Sequence, residues 1–150
     1  MTAQAHQIPL DLAHRPAFGR EDFLVAPCNE DAVRLIDCWP DWPGPACILY
    51  GPPASGKSHI GAVWQARSGA HNAGPDALAS GHKKVREGAH LLIPGADFII
   101  GDREMESQLF HIYNTARETG AALLLTLRAA PQILNFEVPD LASRLRAAPQ

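Results

Sequence analysis

The stretch that decides the fold is Gly51-Pro52-Pro53-Ala54-Ser55-Gly56-Lys57-Ser58, which fits the pattern G-x-x-x-x-G-K-[ST]. The apolar run Cys47-Ile48-Leu49-Tyr50 precedes it, and apolar residues at helical spacing follow it. This is the strand, loop and helix context in which the pattern binds phosphate. The glycines let successive backbone N–H groups face one phosphate, and the helix start adds the positive end of its dipole. We therefore predict a nucleotide phosphate site here.

Three side chains at the end of this loop have predicted roles. Lys57 is expected to reach the outer phosphates of a bound nucleotide, and the Ser58 hydroxyl is expected to ligate Mg²⁺. His59 is predicted to face a neighbouring element or the edge of the nucleotide. The alternative is a chance match in a glycine-rich turn, and the flanking strand and helix favour phosphate binding over it.

Composition favours a single globular domain. The chain has 150 residues, 46% of them hydrophobic, and its formal net charge at pH 7 is -3. This length suits one domain with a full core, and this charge offers no broad electrostatic surface to DNA or anionic lipid. No apolar run is long enough to span a bilayer, and no signal peptide pattern opens the chain. We predict a cytoplasmic protein.

The cysteines and histidines favour neither a disulfide framework nor a metal centre. There are three cysteines and seven histidines, without a C-x-x-C pair or a metal-ligand spacing. We expect the cysteines to be reduced and structural. No arrangement of serine, histidine and acid indicates nucleophilic catalysis.

Two regions are predicted along the chain. Residues 1–20 are polar, contain two prolines and have no sustained period, so we expect an extended arm. Residues 21–150 are predicted to form the nucleotide-binding domain. Strands that alternate with helices and are apolar throughout indicate a parallel sheet covered on both faces, which is a three-layer α/β fold of the P-loop NTPase type.

The remaining elements of the domain are predicted from apolar spacing and from capping and breaking residues. They are a helix from Asn29 to Pro40, a helix from Ser58 to Arg67, a weak strand within residues 68–75, a helix from Asp76 to Arg86, a helix from Met105 to Gly120 and a strand over residues 121–127. Trp39 and Trp42 are predicted to cover the core and not to stack on bases.

A nucleotide site of this kind needs an acid that holds Mg²⁺ from a neighbouring strand. Residues 96–102 have the pattern of a buried strand that ends in an acid, which places Asp102 where such a ligand belongs. Hydrolysing enzymes commonly have a second acid next, and here the next residue is Arg103. If the strand is shifted by one residue, Gly101 takes the first place and Asp102 the second. The acidic pair is incomplete in both registers, so we expect slow or absent hydrolysis with binding retained.

Three further segments resemble one known family. They are Phe110-His111-Ile112-Tyr113-Asn114, Leu123-Leu124-Leu125-Thr126 and Val138-Pro139-Asp140-Leu141-Ala142-Ser143-Arg144-Leu145. They are similar to the AAA+ module of the DnaA/Hda family, and more to the Hda group, the regulatory inactivators of the bacterial replication initiator DnaA. The resemblance extends from Gln7 to about Leu145, and the P-D-L-x-S-R-L stretch is its most specific part.

By this resemblance Arg144 matches the arginine finger of the family. That residue completes the ATP site of a neighbouring subunit and does not act in its own. A guanidinium delivered in trans offsets the charge that develops on the transferred phosphate. The position of Arg144 in the sequence, taken alone, favours a surface arginine or a salt bridge. Its role as an arginine finger therefore rests on the resemblance.

The resemblance also implies residues that contact the nucleotide. Leu24 and Val25 match the adenine side of the site. Thr126 matches the polar sensor of the terminal phosphate, and Arg128 is the alternative for that contact. The family continues beyond the position of Gln150 into a small helical lid, so no lid is expected in this chain.

The stretch Gln7-Ile8-Pro9-Leu10-Asp11-Leu12 resembles the sliding-clamp-binding motif at the N-terminus of Hda proteins. The resemblance implies that Gln7 fills a polar pocket and that Leu10 and Leu12 enter apolar pockets, as an extended peptide does. Ile8 stands where the family usually has a leucine. The alternative for this stretch is a disordered tail.

The function implied is regulation of replication initiation. The protein is expected to bind ADP or ATP with Mg²⁺ and to stimulate hydrolysis of initiator-bound ATP through Arg144. Its expected partners are the DNA polymerase sliding clamp, DnaA and a second copy of itself in a homodimer, without sequence-specific DNA binding, since nothing resembles the initiator's helix-turn-helix. Two alternatives stay open. One is a small P-loop ATPase or kinase that uses Asp102 as its metal ligand, and the other is a DnaA-binding adaptor that does not stimulate hydrolysis.

Overall fold

The computed structural model describes residues 29–150, except for the side chain of Ala79. Its elements in chain order are α1 (Glu30–Asp37), β1 (Ala46–Tyr50), α2 (Lys57–Ser68), β2 (His71–Asn72), α3 (Pro75–Arg86), β3 (Leu91–Ile93), α4 (Arg103–Thr119), β4 (Leu123–Leu127) and α5 (Pro139–Ala147), with 3₁₀ turns at Ala96–Ile99 and Pro131–Ile133. The arm predicted for residues 1–20 lies outside the described residues. None of the helices between residues 29 and 150 has the length and apolar character needed to cross a bilayer.

The described strands form one parallel sheet in the order β1-β4-β3-β2. β4 is central and every one of its residues is buried. It pairs with β1 from Ala46 opposite Leu123 onward, and with β3 from Leu91 opposite Leu123 onward. Parallel strands need crossover connections, and here each connection includes a helix. The predicted α/β class with a parallel sheet is confirmed.

Hydrophobic cores lie on the two faces of the sheet because successive side chains of a strand point to opposite faces. One core packs α3, α4 and α5 against alternate strand residues, among them Ile48, Leu91, Ile93, Leu123, Leu125 and Leu127. The other packs α1 and α2 against the residues between them, among them Cys47, Leu49, Leu92 and Leu124. The helices therefore cover the sheet on both sides, which fixes the loops at its two ends.

Most predicted elements are found within a few residues of their predicted bounds. Asn29 is the N-cap of α1, and Gly120 ends α4 in the left-handed conformation with φ 76°. The weakly predicted second strand is β2, which has only two residues. The cap predicted at Asp76 is wrong, because Gly74 is the N-cap of α3 and Pro75 takes the first helical position. Proline suits that position since its missing N–H has no partner there in any helix.

The strand predicted over residues 96–102 is wrong. β3 already ends at Ile93, the chain then turns through a 3₁₀ segment, and Asp102 is the N-cap of α4. One oxygen of the Asp102 carboxylate accepts hydrogen bonds from the N–H groups of Glu104 at 3.0 Å and Met105 at 3.1 Å. The apolar residues of this run pack on the core from a turn, and Ile99 is fully buried there.

The tryptophans on the connection from α1 to β1 pack on the core, as predicted. Trp42 stacks on the buried Trp64 of α2 with ring centroids 5.5 Å apart, and Trp39 meets the same ring edge-on at 6.2 Å. Trp42 Nε1 donates to the carbonyl of Leu35 at 2.7 Å. Arg67 lies over Trp39 at 5.7 Å from its ring centroid and donates to its carbonyl at 3.0 Å. These contacts hold α1 and the connection against α2.

The described cysteines, Cys38 and Cys47, are free thiols. Burial in β1 raises the pKa of the Cys47 thiol to about 12. Because only the thiolate is reactive, Cys47 is inert in the folded chain and packs as a small apolar side chain. Cys38 is exposed, and Cys28 lies outside the described residues.

A buried carboxylate joins α4 to α5. Glu106 has no exposed surface, and its Oε1 accepts a hydrogen bond from the N–H of Gly101 at 2.8 Å. Its Oε2 accepts from the N–H groups of Glu137 at 2.8 Å and Val138 at 2.7 Å. Val138 is the N-cap of α5. Hydrogen bonds to a charged acceptor are short and strong, so Glu106 fixes where α5 begins relative to α4.

Glu106→Gln is expected to lower the unfolding free energy by about 1–3 kcal/mol, because an amide accepts hydrogen bonds only at its oxygen and leaves a buried N–H without an acceptor. Guanidinium denaturation measures the change. Glu104→Gln, at an exposed position of the same helix, is the control and is expected to change stability by less than about 0.5 kcal/mol. Equal stability of the Glu106 variant and the wild type would contradict the anchoring role.

Candidate functional site

The loop between β1 and α2 has the backbone shape of an anion site. Its path uses positive φ angles at Gly51 (156°), Ala54 (62°) and Gly56 (89°). Among the described residues Ala54 is the one non-glycine residue with a positive φ. Backbone of alternating hand turns successive N–H groups toward a common centre, and the first turn of α2 adds N–H groups without helical partners. The loop can therefore surround a phosphate with main-chain donors.

The Lys57 ammonium folds back over this loop. It donates to the carbonyl oxygens of Gly51 at 2.6 Å and Pro52 at 2.7 Å, and to the Ser55 hydroxyl oxygen at 3.0 Å. An ammonium has three N–H donors, so these contacts use all of them. A phosphate that enters the loop must therefore replace at least one of these carbonyl or hydroxyl contacts.

An open cavity of about 600 Å³ adjoins the loop. Five of the predicted loop residues line it, namely Gly51, Pro52, Ala54, Ser55 and Lys57. The other walls include the end of β1, the start of α1 with Asn29 and Asp31, and Gln150. The volume is in the range of small-molecule sites, and the lysine supplies positive charge on one side.

The other predicted nucleotide residues occupy different surroundings. Ser58 is exposed on the first turn of α2, and His59 beside it is half-buried. Thr126 is buried in β4 and its Oγ1 accepts a hydrogen bond from the N–H of Gly95 at 2.7 Å. None of these three lines the cavity. The adenine-side residues Leu24 and Val25 lie outside the described residues, as do the predicted clamp-binding residues Gln7, Ile8, Leu10 and Leu12.

The carboxyl ends of β1, β4 and β3 meet at the edge of the sheet that carries the loop. The register pairs Ile48 with Leu125 and Leu125 with Ile93. Continuing β3 by two residues in this register brings Pro94 and Gly95 level with the end of β1. A P-loop site takes its metal-binding acid from such a strand end, and neither of these residues has a carboxylate.

The acids that follow β3 are bonded to main-chain groups. Asp97 Oδ1 accepts from the N–H of Arg128 at 3.0 Å, and Asp102 caps α4. Within residues 29–150 no group of three histidine, cysteine, aspartate or glutamate side chains could hold a metal ion. The strand-end position predicted for Asp102 is wrong. Asp102 therefore does not have the geometry expected of a metal ligand at this edge of the sheet. The residues present do not fit the Mg²⁺ site that the loop motif implies.

Arg144 lies toward the opposite end of β1 from the loop. It lines a cavity of about 290 Å³ together with Gly44, just before β1, and Ala46, the first residue of β1. The loop leaves β1 at its other end, roughly 13 Å away for a strand of this length. Arg144 is therefore not part of its own chain's phosphate site.

Two aromatic rings of α4 support Arg144. Its guanidinium carbon is 5.3 Å from the ring centroids of both Phe110 and Tyr113. Within residues 29–150 the guanidinium forms no ion pair and donates no hydrogen bond. Its helix is held by Leu141 and Leu145, which are buried in the core. The side chain is thus supported on one side and retains its hydrogen-bond donors for a ligand.

Several residues of the site could not be identified from the sequence. Asp31 and Gln150 line the cavity although they are distant from the loop in sequence. Glu106 has the pattern of a solvated position on an amphipathic helix, yet it is fully buried. The sequence does mark the end of β3, because the apolar run Leu91-Leu92-Ile93 stops directly at Pro94.

Gly56→Ala is expected to lower the unfolding free energy by about 1–2 kcal/mol, because a φ of 89° brings a Cβ close to the following carbonyl. A Cβ at this position meets no other atom within 4 Å, so the cost is conformational. Gly44→Ala is the control: its added Cβ is 3.7 Å from the Tyr113 hydroxyl, an ordinary contact, and its expected effect is within about 1 kcal/mol. Urea denaturation measures both, and an unchanged Gly56 variant would contradict the left-handed loop conformation.

No protein-family model matches the chain. Its fold is similar to that of domain III of the replication initiation protein DnaA from Thermotoga maritima, with a TM-score of 0.76 and 20% identity over 89% of this chain and 65% of that one. AMPPCP-bound DnaA from Aquifex aeolicus matches with a TM-score of 0.72 and 20% identity over 89% of this chain and 49% of that one. A DnaA structure with AMPPCP and single-stranded DNA matches with a TM-score of 0.70 and 20% identity over 89% and 49%. The predicted AAA+ P-loop fold is confirmed, and the chain spans less than two thirds of each of these structures.

Proposed function

We propose that this chain, which has the fold of an AAA+ initiator domain, is an Hda-like regulator of DNA replication initiation. It binds an adenine nucleotide in its own loop and uses Arg144 to complete the ATP site of an initiator subunit, where hydrolysis is stimulated. The observation that carries the proposal is the position of Arg144, partly exposed toward the far end of β1 from the chain's own loop. An arginine so placed is suited to act in trans.

Adenine nucleotide binding is supported by the loop and by the matched structures. Main-chain N–H groups, the N-terminus of α2 and the Lys57 ammonium all supply positive charge at one end of the cavity. The DnaA structures from Aquifex aeolicus and with single-stranded DNA both hold AMPPCP. We propose that ADP or ATP occupies the corresponding place in this chain.

The chemistry of Arg144 suits stimulation of phosphoryl transfer. A guanidinium is planar, keeps its charge at all physiological pH values and presents several donors to phosphate oxygens. Such a residue delivered from a partner raises hydrolysis by about 10³ to 10⁵-fold in systems that use it. The support from Phe110 and Tyr113 lowers the conformational freedom that the side chain loses when it engages a neighbour's phosphate.

The alternative of a self-contained ATPase or kinase has less support. Such an enzyme needs a carboxylate at the strand end beside the loop, and Pro94 and Gly95 stand there. The alternative of an adaptor that binds DnaA without stimulating it has the same fold and the same nucleotide site. Only the activity of Arg144 separates the adaptor from the regulator.

Arg144→Ala is expected to abolish stimulation of ATP hydrolysis by DnaA, a loss of about 10³-fold if the arginine acts as a finger. Arg144→Lys is expected to remain strongly impaired, because an ammonium lacks the planar donor pair. The measurement is conversion of radiolabelled ATP to ADP on DnaA, with sliding clamp loaded on DNA and this protein added. Arg103→Ala, an exposed arginine on α4, is the control and is expected to stimulate normally.

Two results would contradict the regulator. Full stimulation by Arg144→Ala would favour the adaptor or another catalytic residue. ATP turnover by the isolated protein that Lys57→Ala abolishes would favour the self-contained enzyme. Thermal melting of each variant confirms that it is folded, which is expected because Arg144 lies at the surface and Leu141 and Leu145 hold α5.

We also propose that residues 7–12 bind the sliding clamp as an extended peptide. Gln7→Ala and Leu10→Ala are each expected to weaken binding at least about tenfold, since anchor residues of short peptides carry most of the affinity. A pull-down on immobilised clamp measures this. Gln4→Ala is the matched control and is expected to bind normally. Undiminished binding by both variants would remove the arm from the mechanism.

A further inference from the structure

We propose that the nucleotide site takes the phosphates of ATP or ADP without a divalent cation. The proposal rests on the nucleotide binding proposed above and concerns the groups that neutralise the phosphates. Lys57 and Arg128 supply the positive charge, and the position of the metal-binding acid is filled by Pro94 and Gly95.

A magnesium ion at a P-loop is held by the loop hydroxyl, by phosphate oxygens and by a carboxylate at a neighbouring strand end. Ser58 offers the hydroxyl, which is neutral and a weak ligand by itself. The N–H of Gly95 donates to Thr126 Oγ1 at 2.7 Å, so the backbone after β3 lies directly against β4 at this edge. No acidic side chain stands on either residue at that point.

In the described structure, the nearby acids do not place a carboxylate at the end of β3. The Asp97 carboxylate is bonded to the main chain after β4, and the Asp102 carboxylate is bonded to the first turn of α4. Asp31 lines the cavity from α1, which is not a strand end. The strand-end position beside the loop therefore carries no carboxylate that would hold a metal against the phosphates.

Arg128 stands where it can replace that metal. The N–H of Gly51 donates to the carbonyl of Leu127 at 3.1 Å, so Arg128 follows β4 directly beside the start of the phosphate loop. Its side chain is exposed and forms no ion pair with any acid in the described part of the chain. A divalent cation with one carboxylate contributes a single net positive charge, and the Arg128 guanidinium contributes the same charge without either.

The test is titration calorimetry of the full chain with ATP, in excess Mg²⁺ and in excess EDTA. The dissociation constants in the two buffers are expected to agree within about threefold, a difference below about 1 kcal/mol. Arg128→Ala is expected to weaken binding by about tenfold or more in both buffers. Lys57→Ala is expected to abolish binding in both.

A variant that gains Mg²⁺-dependent ATP binding tests whether the missing carboxylate at the end of β3 is what makes the site independent of metal. Pro94→Asp places a carboxylate at the end of β3, so Mg²⁺ is expected to tighten its ATP binding by about tenfold over EDTA. Pro94→Asn has the same shape without the charge and is expected to remain insensitive to Mg²⁺. Circular dichroism melting shows whether each variant is folded.

Two failures can be told apart. ATP binding by the wild type that needs Mg²⁺, with the need lost in Asp97→Asn or Asp31→Asn, would identify a metal-binding acid and overturn this inference alone. Absence of ATP binding in both buffers would overturn the proposed nucleotide site and the inference with it.

Discussion

The carboxylate of Glu106 is the interaction on which the arrangement of the second half of the chain depends. A buried charge is costly unless hydrogen bonds satisfy it, and here the donors are main-chain N–H groups from the turn before α4 and from the start of α5. Glu106, Phe110 and Tyr113 are spaced at i, i+4 and i+7, so they share one face of α4. That face holds both the start of α5 and the side chain of Arg144. The position of Arg144 therefore depends on this one face of α4.

The sequence was sufficient where a feature is encoded by neighbouring residues. The phosphate loop, β1, α2, α4 and β4 all have local patterns that agree with their final structure. The strand prediction over residues 96–102 is wrong because that run is longer than the three residues of β3, and length favours it as a strand. What decides between them is pairing with β4, which is a tertiary interaction.

The candidate site likewise contains residues that the sequence predicts and residues that it does not. The loop residues could be predicted because their chemistry is contiguous, whereas Arg144 was identified only through family resemblance, since its aromatic support comes from another helix. Glu106 could not be identified, because a glutamate on an amphipathic helix is usually solvated. The strand predicted over residues 96–102 places Asp102 at a strand end, whereas the residues that follow β3 are Pro94 and Gly95.

If bound nucleotide influences Arg144, the two ends of β1 must be coupled, and packed elements between the sites can carry such coupling. One connection runs from the end of β4 to α5. Arg146 on α5 donates to the carbonyl oxygens of Pro131 at 3.2 Å and Leu134 at 3.1 Å, which ties the helix of Arg144 to the turn that follows Arg128. A phosphate that engages Arg128 would pull on the start of this same segment. If nucleotide is held there without turnover, as proposed, that contact would stay in place, which would suit a site that sets a conformation more than one that consumes its ligand.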